Sequence, residues 1–249
     1  MTDIIEPLRF SRLKLIGRSP AHYAAGTAVF DQTAVDRGSA VHAALLGGKR
    51  VISAPMVRRG KEWEAFKADN SDAIILTEAE LYKASGMVRA VQANKEAMRV
   101  LDGVREKTLA WSIGGRPCVG TPDVYTDHLV TELKTTKCSE PRKFAWQARS
   151  LAYHAQVAWY RDGIMLGDNK RPADCYCVAV ESAAPFPVTV FQFTPRMLEE
   201  GRKLYSAWLN QLKVCEDSDE WPGYTQGIVE LDVADDEPEL DWSDMEDAK

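Results

Sequence analysis

Residues 120–137 read GTPDVYTDHLVTELKTTK, and three of them could do chemistry together: Asp123, Glu132 and Lys134. Side chains alternate along a strand, so Glu132 and Lys134, two positions apart, share one face. A two-residue hairpin turn at Thr126-Asp127 would pair Asp123 with Val130. Asp123 would then sit one diagonal step from Glu132 on the same face. Two carboxylates and an ammonium would converge there. Taken alone, D…ExK is short and common, and its plain reading is a surface hairpin carrying a salt bridge.

Three further features add weight to a chemical reading. On the helix expected over 33–46, Val35, Gly38, His42, Leu45 and Leu46 fall on one side, so His42 is expected on the buried face. A core histidine satisfied by a backbone group is the plain alternative. Gly38 beside it would admit another backbone at close range. Glu106, in REKTLAW, stands just before the strand group and is otherwise an ordinary surface glutamate. On the helix expected over 141–163, Arg149, Tyr153, Gln156 and Tyr160 form a polar-aromatic stripe, or else a half-buried packing face. A histidine, three carboxylates, a lysine and such a stripe, if brought together, would make a coherent Mg²⁺ nuclease site. Oxygen ligands suit Mg²⁺. A bound divalent ion lowers the pKa of water and neutralises charge on a phosphate. A neighbouring lysine stabilises the transition state.

The elements that must position these groups are legible in outline. Ser19-Pro20 reads as the N-cap and first position of a short helix. Thr33 with Asp36 resembles a capping arrangement opening the 33–46 helix, and Gly47-Gly48 stops it. Residues 77–101 read as one helical stretch, with Leu81, Val88, Val91 and Met98 among its apolar positions. Residues 108–135 read as strands with turns. The helix over 141–163 runs from Pro141 to Gly163. Strands follow at 175–180 and 188–193, then a helix over 195–213 opened by Thr194-Pro195. The fold class expected is α/β, with a mixed central sheet flanked by helices.

Length and composition narrow the classes. The chain has 249 residues, 45% hydrophobic and 27% charged, enough to bury a core without staples. No stretch approaches the ~18–20 apolar residues of a membrane span. MTDIIEPLRF lacks a basic region followed by an apolar run, so no secretory signal is expected. The five cysteines, an odd number with no CxxC pair, fit reduced thiols in a cytoplasm better than a zinc or iron–sulfur site. The net charge of −6 argues at first against a nucleic-acid partner. Its distribution changes that. Residues 230–249 hold ten acidic residues and one basic, leaving residues 1–229 with a net charge of +3. The expected division is one domain over 1–231 and an acidic, solvated tail over 232–249; a DNA mimic or partner hook is the alternative for the tail.

Basic residues cluster near the candidate site. Arg58, Arg59 and Lys61 lie in an expected loop, and Lys137, Arg142, Lys143 and Arg149 follow the ExK strand. They are either solvated charges or phosphate contacts, including capture of a 5′-phosphate. Trp63 and Phe66 nearby could wedge a duplex end, with core packing the stronger reading for Phe66.

Together these residues resemble the PD-(D/E)xK nuclease superfamily, in its RecB-type branch, and are most similar to the RecE (exonuclease VIII) C-terminal nuclease domains and their phage-borne relatives. GSAVHAALL resembles the GxxxH helix, RRGKEWEAF the basic loop, and EKTLAW the segment with the extra glutamate. GTPDVYTDHLVTELKTTK resembles the core motif, YHAQVAWYRDG the helix with Gln and Tyr, and WPGY at 221–224 the closing aromatic turn. Glu132 stands where many of those relatives carry Asp, and Thr121-Pro122 where they often carry Arg-Pro.

The resemblance implies a restriction-endonuclease-like core and a 5′→3′ exonuclease on linear double-stranded DNA, leaving 3′ single strands for recombination. It implies Mg²⁺, with Mn²⁺ substituting, a homo-oligomeric ring around DNA, and a single-strand annealing protein as partner. It also implies a cytoplasmic protein of a bacterial host, phage- or prophage-borne, with no membrane association. By motif, His42, Asp123, Glu132 and the Leu133 carbonyl would be metal ligands, and Glu106 a ligand or near neighbour. Lys134 would be the catalytic lysine, and Gln156 and Tyr160 would contact substrate or support the site. The competing readings are an endonuclease or single-strand nuclease of the same superfamily, a DNA-binding module without catalysis, and an α/β protein whose hairpin carries only a salt bridge.

Overall fold

Two eight-residue runs, LVTELKTT and DCYCVAVE, lie side by side as parallel strands and form the spine of the molecule. The computed structural model describes residues 6–26, 32–55, 57–225 and 227–230. The elements run β1 (Leu8–Arg9), α1 (Phe10–Arg18), α2 (Pro20–Ala25), α3 (Gln32–Leu46), β2 (Val51–Ser53), α4 (Gly60–Asp69), β3 (Ile74–Leu76), α5 (Glu78–Ala93) and α6 (Lys95–Val100). Then come β4 (Val104–Arg105), β5 (Leu109–Ile113), β6 (Arg116–Gly120), β7 (Val124–Tyr125), β8 (Leu129–Thr136), α7 (Pro141–Ser150), α8 (Tyr153–Gly167), β9 (Asp174–Glu181), β10 (Val188–Gln192) and α9 (Pro195–Ser218).

The main sheet has the order β10-β9-β8-β7-β4. Only β8 and β9 pair in parallel; its other neighbours are antiparallel. A second sheet, β1-β6-β5, is also mixed, and β2 pairs with β3 in parallel. The fold is therefore the expected mixed α/β architecture. β8 and β9 are largely buried on both faces, which is why β9 reads as a near-continuous apolar run between Asp174 and Glu181. On one face Val130, Cys175, Cys177 and Ala179 pack beneath α1, α8 and α9. On the other, Leu133, Val178 and Val180 pack against residues of α3, α5 and α6.

Helix α8 is the anchor of the first core. Trp159 is fully buried and meets Trp111 and Tyr205 edge-on, at centroid distances of 5.2 and 5.5 Å. Arg202 and the Tyr205 hydroxyl of α9 both bond the Asp162 carboxylate of α8. The WPGY segment closes against α2: Trp221 stacks on Tyr23, the Ala21 N–H donates to the Pro222 carbonyl, and Arg18 donates to the Tyr224 hydroxyl.

Several local expectations are corrected. The 77–101 stretch is two helices, because Asn94 ends α5 and its side chain caps α6; Met98 is exposed. The 141–163 stretch is also two helices, broken where Ala152 takes φ +56°. Helix α3 is described from Gln32, which places Thr33 within its first turn, and Asp36 accepts from Gln32 Nε2. The deeply buried residues of α3 are Ala40, Val41 and Leu46, while Val35 is exposed and His42 is half-buried. The acidic 232–249 segment lies outside the described residues. Among the described residues no helix is long and apolar enough to cross a membrane, and all five cysteines are free thiols.

Candidate active site

The hairpin of β7 and β8 presents Asp123 and Glu132, but with a register two residues from the expected one. Val124 pairs with Thr131 and Tyr125 with Val130, so Asp123 lies directly opposite Glu132. The reason is Thr126, whose hydroxyl accepts from the N–H groups of His128 and Leu129 at 3.0 and 3.1 Å and builds a longer turn than Thr126-Asp127 alone. A slip of two keeps every side chain on its face. The carboxylates therefore still converge. The Asp123 N–H donates to Glu132 Oε1 at 3.3 Å, and the Leu133 N–H donates to Asp123 Oδ2 at 2.7 Å.

Lys134 follows on the face of Glu132. Its Nζ donates to Glu132 Oε2 at 2.9 Å and lies 5.3 Å from the centre of the Tyr153 ring. Glu132 is 2% exposed, so this is a buried pair.

His42 arrives from the opposite face of the sheet, carried by α3. Gly38, one turn earlier, packs against β8; a Cβ there would lie 3.3 Å from the Thr135 hydroxyl, a side chain and not the backbone that was expected. His42 Nε2 lies 2.9 Å from the Leu133 carbonyl, and Nδ1 lies 3.6 Å from Asp123 Oδ1. A single histidine thus spans the backbone of the ExK strand and the carboxylate of the next strand.

Glu106 completes the group. It sits just after β4 with φ +45°, and its N–H donates to the Asp123 carbonyl at 3.0 Å. Ligand atoms of His42, Glu106 and Asp123 all lie within 4.8 Å of one another. The cluster opens on a cleft of about 390 Å³ whose walls include Gly38, Ser39, Gly48 and Lys49. One imidazole and two carboxylates are a donor set that fits a hard or borderline divalent cation. Glu132 and the Leu133 carbonyl, expected as ligands, border this cluster with Lys134 and His42 as their respective partners.

Burial sets the electrostatics. It raises the Asp123 carboxyl to about 6, against the pull of Lys134 and the Leu133 N–H. Burial, then the charge of Asp123, raises Glu132 to about 7 despite Lys134. For Lys134 burial works against the charge, but Glu132 and Asp123 outweigh it and its pKa is raised. Burial and the Lys134 charge lower His42, so it stands as a neutral imidazole at neutral pH, the form that binds metals. Three carboxylates facing one ammonium form a site short of positive charge.

Helix α8 closes the site on the Lys134 side. Gln156 Nε2 donates to the Tyr160 hydroxyl at 3.3 Å, and burial, then the Glu132 charge, lifts Tyr160 to about 12. Tyr153 lies under Lys134. Arg149 does not join this row, because the break at Ala152 puts it on α7, exposed and 4.0 Å from Glu200 of α9.

The Arg58 cluster also differs from expectation. Arg58 donates to the Ile75 carbonyl at 2.6 Å and to Glu80 Oε2 at 2.9 Å, so its charge is used inside the fold. Glu80 is in turn the reciprocal partner in the Thr77 capping box of α5. Arg59 and Lys61 are exposed at the head of α4, outside the cluster. Phe66 is not a core residue; it is half-buried and stacks on Trp63 with centroids 6.2 Å apart.

One residue escaped the sequence reading. Lys14 of α1 is half-buried and near enough to Lys134 to feel its charge. The available signal was the absence of any Asp or Glu between Glu6 and Asp31, a run that holds Arg9, Arg12, Lys14 and Arg18.

A family model described as a PDDEXK-like domain of unknown function (DUF3799) matches residues 9–231. No curated protein matches the chain. Among solved structures, a "Putative exonuclease" from Eubacterium rectale superposes with a TM-score of 0.66 at 13% identity, covering 92% of this chain and 91% of its own. That likeness is one of fold. A structure named SSO0001 matches at 10% identity over 78% of this chain and 85% of its own, with a TM-score of only 0.28.

Proposed function

This chain belongs to the PDDEXK-like family DUF3799, and on that premise we propose that it is a divalent-metal-dependent exodeoxyribonuclease acting on the ends of linear double-stranded DNA. The observation that carries the reading is the convergence of His42, Glu106 and Asp123 within 4.8 Å beside the buried Glu132–Lys134 pair. The residues fit a divalent cation by number, chemistry and charge. His42, Glu106 and Asp123 would hold it, with Glu132 at its margin. When bound, the ion supplies Lewis acidity toward a phosphodiester and lowers the pKa of water; Mg²⁺ is the ion proposed, with Mn²⁺ as substitute.

The protein's own groups then have distinct tasks. Lys134 keeps its proton through neutral pH and presents a fixed positive charge where negative charge develops on phosphorus oxygens. Glu132 holds the Lys134 ammonium at 2.9 Å, fixing its position. His42, neutral, is oriented by its contact with the Leu133 carbonyl, which leaves Nδ1 toward Asp123. Tyr153, Gln156 and Tyr160 wall the site and limit water. In hydrolysis a water oxygen bonds to phosphorus, the bond to the leaving oxygen breaks, and that oxygen departs with a proton.

The motif order His42, Glu106, Asp123, Glu132-x-Lys134, Gln156, Tyr160 supports the RecE-type reading. On it rest the 5′→3′ polarity, the homo-oligomeric ring, a single-strand annealing partner and a role in recombination. The test is degradation of linear duplex labelled at either end, with Mg²⁺ or EDTA, beside closed circular duplex. Loss of the linear duplex alone, Mg²⁺-dependent and leaving long single strands, is the expected result; the label lost first gives the polarity. Nicking of the circle would make the protein an endonuclease, and no cleavage of either substrate in Mg²⁺ or Mn²⁺ would overturn the nuclease reading.

A further inference from the structure

We propose that the loop Gly47-Gly48-Lys49 is the strand-binding wall of the active-site cleft, where the Lys49 ammonium pairs with a backbone phosphate of the DNA strand, next to the phosphate at the ion. The inference rests on the nuclease reading and adds to it a residue that belongs to none of the motifs.

The cleft itself places Lys49. Its walls include His42 and Glu106, two of the three proposed ion ligands, together with Ser39, Gly47, Gly48 and Lys49. At about 390 Å³ it falls within the roughly 300–1,000 Å³ of ligand sites, so it has room for more than an ion. The ion cluster and the loop share one opening.

Backbone geometry holds the loop there. Helix α3 ends where the Gly47 N–H donates to the Ala43 carbonyl at 3.1 Å. Gly47 and Gly48 then take φ +96° and +135°, a conformation open to glycine and not to other residues. This turn brings the chain back beside the site: a Cβ at Gly48 would lie 3.8 Å from Ala43 and 3.9 Å from Glu106 Oε2. On the far side of Lys49, the Arg50 carbonyl accepts from the Ile74 N–H at 2.9 Å, where β2 and β3 begin to pair. The backbone of Lys49 is thus held at both neighbours, while its side chain stays exposed.

The partners of the neighbouring groups single Lys49 out. Arg50 donates to both oxygens of Asp72, at 3.0 and 3.1 Å, and to Asn70 at 3.1 Å. Asp72, the carboxylate that feels the Lys49 charge, is therefore already engaged. Among the described residues Lys49 forms no ion pair, and the N–H groups of Gly48 and Lys49 meet no acceptor. His42 and Glu106 face the ion. A phosphodiester entering the cleft brings negative charge beside Glu106, and Lys49 is the cation of the wall that meets it. Successive backbone N–H groups with a lysine are suited to phosphate oxygens. Ser39, three residues before His42 on the same side of α3, adds a hydroxyl to that wall.

The test uses the full-length protein with Lys49→Ala, Lys49→Gln and Lys49→Arg, and with Arg50→Gln as the neighbouring control. Binding of a short blunt duplex is followed against salt, with Ca²⁺ in place of Mg²⁺ so that the duplex stays intact. Losing one phosphate contact should lower the slope of log K against log salt by about 0.9 in Lys49→Ala and Lys49→Gln. Affinity should fall about tenfold, the size of one charge-assisted contact. Lys49→Arg should keep both. Arg50→Gln removes the same charge one residue away and should leave the slope unchanged. In Mg²⁺, KM for duplex should rise in Lys49→Ala and Lys49→Gln with kcat changed much less. An exposed side chain is removed, so both should melt like wild type. A wild-type salt slope in either folded variant, an equal loss of slope in Arg50→Gln, or no DNA binding by the wild-type protein overturns the proposal. A wild-type protein that binds duplex but cuts none overturns the nuclease reading instead and leaves the slope comparison to decide Lys49.

Discussion

His42 and Asp123 come from opposite sides of the main sheet and meet at its edge, with Nδ1 of one 3.6 Å from Oδ1 of the other. The meeting is possible because β7 is only two residues long, so β8 is uncovered beside Asp123. Through that gap α3 places His42 against both the Leu133 carbonyl and the Asp123 carboxylate. The site is thus a consequence of sheet termination, and its side chains are fixed by backbone contacts on two strands.

Lys134→Ala should abolish cleavage, by about 10²–10³-fold or more for loss of one charge-stabilising donor. It should also lower the melting temperature, because it leaves Glu132 buried without its partner. Neutralising both groups separates the two effects. Glu132→Gln with Lys134→Met should recover most of the stability and none of the activity, measured by melts and by duplex degradation. Wild-type cleavage by Lys134→Ala would show that the site is misassigned.

The carboxylates predict a linkage between pH, stability and metal. Asp123 and Glu132 titrate near 6 and 7 in the folded protein, above the ~4 of unfolded carboxylates. A raised folded pKa stabilises at low pH and loses that contribution as pH rises through the folded value. The metal-free protein should therefore lose stability from about pH 4 to about pH 7. A cation needs the ionised forms, so the rise in melting temperature on adding Mn²⁺ should grow from pH 5 to pH 8. A metal-induced shift that is flat across this range would contradict the assigned ligands.

Much of this site was readable because strand periodicity is simple. Glu132 and Lys134 share a face whatever the turn does, and a register slip of two preserved Asp123 on it. The turn itself was misread because a threonine hydroxyl, not a glycine or asparagine, organises it. The break at Ala152 was invisible for a related reason: an alanine at φ +56° carries no turn signature in the sequence. The division at Asn94 was legible, since Asn is a favoured N-cap, yet the apolar periodicity on both sides masked it.

Arg58 illustrates how a charge that looks available can be consumed by the fold. Its guanidinium joins the Ile75 carbonyl to Glu80 at the start of α5. Arg58→Gln should therefore lower the melting temperature and leave duplex affinity and its salt slope unchanged. Loss of affinity without loss of stability would return Arg58 to the DNA-contacting set.

Helix α8, which borders the site, is packed tightly by α9. At Gly201 a Cβ would overlap the His154 carbonyl and fall 2.8 Å from the Ala155 N. Gly201→Ala must push the helices apart, and overpacking of this kind costs about 1–3 kcal/mol. For a chain of this size each kcal/mol lowers the melting temperature by about 2–4 °C. The displacement falls on the first turn of α8, which carries Tyr153 and leads to Gln156 and Tyr160. Activity at a temperature well below the melt should consequently drop as well, through Lys134, whose ammonium lies over Tyr153. Full activity in a destabilised Gly201→Ala would show that the position of α8 does not tune the site.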